Sequence, residues 1–103
     1  MSSPIRLCCL LWAWPGLGAD MTRYEDAVLV LISDHGGTVI QRAVGDGENG
    51  TPHEVQLLEF RDQGALDSYL TDPRRTELAA ERDRVVARTE LFPVRPRDTD
   101  AAP

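Results

Sequence analysis

Among residues able to do chemistry, His35 stands out. It closes an apolar stripe of helical spacing, and an imidazole at a helix C-terminus sits where the dipole favours its protonated form. It could serve as a general acid or base near neutral pH, or cap its helix by donating to the last carbonyls. Glu54 and Gln56 lie two apart on one face of a strand; polar groups buried there need partners. A Glu54–Arg42 or Glu54–Arg82 pair would meet that need structurally. A cluster of the same residues around a cavity would instead hold a polar substrate. Trp12 and Trp14, with Phe92 and Tyr24 as possible neighbours, offer rings that could stack on a planar ligand or simply fill a core or an interface. Tyr69 could donate to a substrate oxygen or lie on the helix–sheet boundary. Arg74 and Arg75 could bind an anion or form a solvated pair. Glu59, near its strand end, is expected to face solvent.

The elements that position these groups can be read from spacing. Met21, Tyr24, Val28, Leu31, Ile32 and His35 recur three and four apart, so Asp20–Gly37 reads as one helix, capped by Asp20 and stopped by Gly36. Before it, Ile5–Trp14 is a continuous apolar run bounded by Pro4 and Pro15-Gly16, a strand covered on both faces. Leu7, Cys9, Leu11 and Ala13 share one face; Cys8, Leu10, Trp12 and Trp14 share the other. Thr38–Ala43 reads as strand two. The Asn49-Gly50 turn signal then returns the chain antiparallel as strand three, His53–Phe60. There His53, Val55, Leu57 and Glu59 alternate with Glu54, Gln56, Leu58 and Phe60. Ala65–Leu70 is a short helix. Asp72-Pro73 restarts a helix that runs to about Ala87, with Arg82 between Leu78 and Val86 on its apolar face. Strand four is Arg88–Val94, and residues 95–103 read as a polar tail after a single domain over 1–94.

The order β-α-β-β-α-β suits a ferredoxin-like α+β sandwich: a four-stranded antiparallel sheet, strands one and three central, helices on one face. Because strand one is apolar on both sides, the helix-free face needs a cover. The simplest cover is the same face of a second subunit.

Composition narrows the partners. The 103 residues are 42% hydrophobic and 27% charged, ordinary for one soluble domain. A net charge of −6 disfavours a nucleic-acid partner, since phosphates want a basic surface. All eleven basic residues are Arg, the better type for fixed, forked ion pairs. Cys8 and Cys9 are adjacent and point to opposite strand faces, so two free thiols in a reducing cytoplasm are expected. Arg6 followed by LCCLLWAW and small residues has the outline of a secretory leader. The run is too short to span a bilayer, and the helix after it needs a strand to pack on. A cytoplasmic protein with no membrane partner is expected. No metal cluster, phosphate-cradling Gly-rich loop, CxxC pair or nucleophile triad stands out.

Several stretches together resemble a known superfamily. These are Tyr24-Glu25-Asp26, Asp34-His35-Gly36-Gly37, Leu58-Glu59-Phe60 and Tyr69-Leu70-Thr71-Asp72-Pro73-Arg74-Arg75. Over residues 5–94 the chain resembles the dimeric α+β-barrel proteins, most of all a small uncharacterised branch with Gly-Gly after helix one and an aliphatic-Glu-Phe strand end. The resemblance implies a barrel made by two sheets facing each other across a homodimer. The superfamily includes cofactor-free monooxygenases, polyketide cyclases, isomerases, decarboxylating enzymes and haem-dependent enzymes. Neither the Asn-Trp-Tyr-Arg pattern of the anthrone oxidisers nor a haem-ligand motif is found here, so no cofactor is expected. The leading expectation is a small enzyme of specialised, polyketide-like metabolism that cyclises, isomerises or oxygenates a small organic ligand, of aromatic or polyketide type. His35 and Glu54 would do acid–base work, with Trp12, Trp14, Tyr24, Arg42, Gln56, Tyr69 and Arg82 holding the substrate. The alternative is a non-catalytic dimeric ligand-binding or accessory protein.

Overall fold

A computed structural model of the chain describes residues 4–95, so the expected tail lies, beyond Arg95, outside the described residues. The elements are β1 (Ile5–Ala13), α1 (Gly18–Leu29), β2 (Gly37–Val44), β3 (Glu54–Phe60), α2 (Gln63–Leu70), α3 (Pro73–Thr76), α4 (Ala79–Val85) and β4 (Val86–Pro93). The four strands form one antiparallel sheet in the order β2-β3-β1-β4. This is the ferredoxin-like α+β arrangement, with β1 and β3 central as the two-sided apolar run of β1 requires.

The helices cover one sheet face. Leu7, Cys9 and Leu11 of β1 and Leu58 and Phe60 of β3 pack against Met21, Tyr24, Val28 and Leu29 of α1, Ala65, Leu66 and Tyr69 of α2, and Val85 of α4. Each large side chain buried here contributes roughly 1.5–3 kcal/mol. Cys9 is a free, buried thiol, and burial pushes its pKa up to about 12. It is therefore an inert core group rather than a nucleophile.

The helical boundaries differ from the periodicity reading in three places. Asp20 does not cap α1. The helix starts two residues earlier, after a turn in which Leu17 N–H donates to Trp14 O, and Asp20 lies in its first turn bound to Arg23 and Arg84. α1 also stops at Leu29. The chain then tightens into 3₁₀ bonding, Leu31 N–H to Val28 O and Asp34 N–H to Leu31 O, through Ile32–His35 before Gly36 turns left-handed at φ 69°. Last, the helix after Pro73 is interrupted at Leu78 and ends at Val85, so Val86 belongs to β4. The start signal there holds: Asp72 Oδ1 accepts from Arg74 N–H, with Pro73 at the first helical position.

No described helix covers the other sheet face. Cys8, Leu10, Trp12, Val55, Leu57 and Phe92 alternate onto it, and Ile40 occupies an irregularity in the β2–β3 register. Ile40 is 49% exposed and Phe92 38%. No described helix is long and apolar enough to cross a membrane.

Candidate functional site

The two expected acid–base residues lie at opposite ends of the sheet. His35 precedes Gly37, which pairs with Phe60 at one end of β3; Glu54 begins that strand six residues away, roughly 20 Å at the rise of a strand. Each has structural partners. Asp72 is ionised, because Arg74 and then His35 hold its carboxyl well below the usual carboxylate range. His35 Nε2–H therefore donates to Asp72 Oδ2 at 2.7 Å, which leaves Nδ1 to accept from Ser68 Oγ at 2.5 Å in the neutral ring. His35 thus ties the end of the α1 segment to α2 and to the cap of α3. Glu54 is fully buried beneath the helices and takes a forked contact from Arg42, Nε to Oε2 at 2.7 Å and Nη2 to Oε1 at 3.1 Å. Arg42 Nη1 extends to Asp26 at 2.6 Å. This is one of the two structural pairings that the spacing offered; Arg82 instead donates to Thr89 Oγ1 at 3.1 Å.

Trp12 and Trp14 do not join this group. Trp12 alternates onto the helix-free face, where Arg88 lies 4.3 Å over its ring and its indole N–H donates to Gly50 O at 2.9 Å. Trp14 lies just past the strand, 48% exposed, and donates to Asp83 O at 3.2 Å. On the helix-free face the structure also has an apolar groove of about 500 Å³ lined by Arg6, Cys8, Ile40, Leu57 and Val94.

Between sheet and helices the structure brings together a different set. A cavity of about 60 Å³ is lined by Glu25, Gln56, Tyr69, Arg75 and Arg82 among apolar neighbours that include Leu11, Val28 and Leu66. Glu25 projects from α1 and is buried. Its Oε1 accepts from Gln56 Nε2 at 2.7 Å, and the same amide donates to Glu54 Oε2 at 2.8 Å. Burial raises the Glu25 pKa; the nearby Glu54 charge adds to the rise, while the Gln56 bond and the Arg42 and Arg75 charges oppose it. Tyr69 is pushed up to about 12 by burial, and its hydroxyl donates to Val28 O at 3.3 Å. Arg75 lies over the Tyr69 ring, 5.1 Å from its centroid. Two buried side-chain polar atoms have no partner among the described residues: Arg75 Nε, on a residue of the cavity lining, and Tyr24 Oη, on a residue outside it.

Of the residues picked from the sequence as site residues, Gln56, Tyr69 and Arg82 line this cavity, whereas His35, Glu54, Arg42, Trp12, Trp14 and Tyr24 do not. Glu25 was missed. It lies four residues after Met21 and four before Leu29, both buried, so an acid on the apolar stripe of α1 was the available signal.

No protein-family model matches the chain, and no curated protein matches it. Solved structures do. A protein of unknown function from Rhodopseudomonas palustris superposes with a TM-score of 0.75 at 18% identity, over 95% of this chain and 85% of the other. A dabb family protein with a ferredoxin-like fold from Mesorhizobium loti gives 0.68 at 17%, over 94% and 100%. SnoaB, a cofactor-independent oxygenase from Streptomyces nogalater, gives 0.67 at 12%, over 93% and 97%. At these identities the likeness is one of fold: the chain has the ferredoxin-like α+β fold that these proteins share.

Proposed function

We propose that the chain is a small enzyme that needs no cofactor and uses acid–base chemistry in the cavity between sheet and helices. The reaction would be a cyclisation, isomerisation or oxygenation of an enolisable organic compound. One observation carries this reading: a small cavity between sheet and helices is lined by Glu25, a buried carboxyl whose pKa burial raises, and by Arg75, whose buried Nε has no partner among the described residues. Structural polar groups in cores are paired, as Glu54 and His35 are; unpaired ones at a perturbed acid are the pattern of a working site. In this reading the Glu25 carboxylate, held by Gln56, takes the substrate proton and returns it, and Arg75 stabilises oxygen charge that develops on the substrate. That a fold neighbour, SnoaB, is a cofactor-independent oxygenase fits this class of chemistry.

The working unit in this proposal is a homodimer. The helix-free face carries Leu10, Trp12, Ile40, Leu57 and Phe92, and a second copy of that face would remove them from water. Sedimentation at micromolar concentration should give a dimer, and Leu10→Asp should give a monomer; a stable wild-type monomer would sink the assembly.

The catalytic reading is tested by exchange of α-protons from a panel of enolisable aryl ketones and esters into D₂O, followed by NMR. Exchange should be accelerated by the wild type and reduced by Glu25→Gln by about two orders of magnitude or more. If no compound exchanges faster than in buffer, or Glu25→Gln matches wild type, the enzyme reading fails. The non-catalytic binding protein would then stand, a role favoured by the complete pairing of Glu54 and His35.

A further inference from the structure

The bonds that fasten His35 to α2 and to the cap of α3 also place three groups in one line. Asp72 is ionised, held by Arg74 and by His35. His35 Nε2–H donates to Asp72 Oδ2 at 2.7 Å, which fixes the tautomer and leaves the lone pair of the neutral ring on Nδ1. Ser68 Oγ lies 2.5 Å from that Nδ1 and donates its proton toward it. The Tyr69 ring meets the imidazole edge-on, with centroids 6.2 Å apart, and steadies its plane.

A hydroxyl aimed at a neutral imidazole whose far nitrogen is tied to a carboxylate is the arrangement of a nucleophile, its base and the group that orients the base. Burial is graded along the line. Ser68 is exposed, whereas the His35 side chain is 15% exposed and that of Asp72 5%. The proton path therefore runs from an oxygen that solvent reaches to a sheltered base. Ser33, on the 3₁₀ turn with His35, is exposed as well, but both His35 nitrogens are already engaged at Ser68 and Asp72.

The same surroundings restrict the substrate. Ser68 lies past the first turn of α2 (Gln63–Leu70), where backbone N–H groups are bonded within the helix and give no free pair of donors to a developing oxyanion. An acyl donor with a poor leaving group depends most on such donors. One whose leaving group is stable as an anion, an aryl ester or a thioester, depends on them least.

We propose that Ser68 is a nucleophile for activated acyl donors, with His35 as its base and Asp72 as the positioning residue for that base. Ser68 Oγ bonds to the acyl carbon while its proton passes to His35 Nδ1. The bond from the acyl carbon to the leaving group then breaks, the phenolate or thiolate departs with the electron pair, and His35 gives up the proton to it. The products are acyl-Ser68 and the free phenol or thiol. None of the three residues lines the cavity of Glu25 and Arg75, so this site stands apart from the function proposed there.

The test treats the full chain with p-nitrophenyl acetate in neutral buffer. Release of p-nitrophenolate is followed by absorbance, and acid-quenched samples are mapped by peptide mass spectrometry. The acetyl group should be found on Ser68 and not on Ser33, and Ser68→Ala should lose the Ser68-dependent release while Ser33→Ala keeps it. His35→Gln should slow acetylation of Ser68 about a hundredfold, the lower end of what a positioned base contributes. If His35→Gln fails to fold, Ser68→Cys carries the base: iodoacetamide should alkylate that thiol at least about tenfold faster than the thiol of Ser33→Cys. For Asp72, ¹⁵N spectra of the imidazole should show the wild-type proton on Nε2, and Asp72→Asn should mix the tautomers and slow acetylation together. Three results would each overturn the proposal: neither acetyl on Ser68 nor release lost in Ser68→Ala; acetylation of Ser33 as fast as of Ser68; or a folded His35→Gln acetylated at the wild-type rate.

Discussion

Tyr24→Phe should make this protein more stable. The Tyr24 hydroxyl is buried and has no acceptor among the described residues, so folding strips it of water and returns nothing. An unmet buried polar group costs about 1–3 kcal/mol, and deleting the oxygen recovers that cost less a small term for the void. A net gain of about 1–2 kcal/mol follows. For a chain of this size, with a urea slope of roughly 1–2 kcal/mol/M, the midpoint should rise by about 1 M. Tyr69→Phe is the matched control. Its hydroxyl donates to Val28 O, which also accepts from Val30 N–H and Leu31 N–H, so the deletion loses that bond but strands no backbone acceptor. It should cost about 0.5–1.5 kcal/mol. The assay is urea unfolding followed by the fluorescence of Trp12 and Trp14. The informative result is the opposite signs of two identical chemical changes on neighbouring rings. If Tyr24→Phe is destabilised by more than about 0.5 kcal/mol, the hydroxyl has an acceptor in solution.

Other predictions follow from the same contacts. Removing Arg42 as Arg42→Leu leaves Glu54 buried without its counter-charge and should cost about 3–5 kcal/mol, whereas Arg42→Leu with Glu54→Leu should recover much of it; a urea double-mutant cycle measures the coupling. In Gly37→Ala a Cβ would stand 2.6 Å from Ile32 Cγ2 and 2.7 Å from Phe60 Cε1, both on fully buried side chains, so a loss of about 1–3 kcal/mol should appear in thermal unfolding. Two carboxyls should set opposite pH slopes. Because burial raises Glu25 above its ordinary 4.5, the folded state holds that proton more tightly, so its contribution falls as pH rises from about 4.5 toward the folded value. Glu25→Gln should flatten that fall. Because Arg74 and His35 lower Asp72 below its ordinary 3.8, its stabilisation is present above that value and lost as pH drops below it; Asp72→Asn should remove the acid limb in unfolding curves taken from pH 2 to 5.

The sequence by itself determined the layout. The apolar run of Leu7–Ala13 marked an inner strand, the alternation of Glu54–Phe60 assigned its faces, and Asp72-Pro73 and Gly36 marked a helix start and stop. These are local signals, carried by residues two to four apart along the chain. The ends of α1 and the break at Leu78 were less legible, because turns and tertiary contacts decide where a marginal helix tightens or stops. Even the Glu54–Arg42 pair was readable as one of two options. Which polar groups meet was decided only by tertiary structure. His35 finds Ser68 and Asp72, 33 and 37 positions on; Arg75 reaches the Tyr69 ring and the cavity under Glu25. Such meetings depend on how far each helix slides and rotates on the sheet, which core packing sets and no local spacing records. The same packing separated Trp12 from Glu54, because neighbouring pleats send side chains to opposite faces of one sheet.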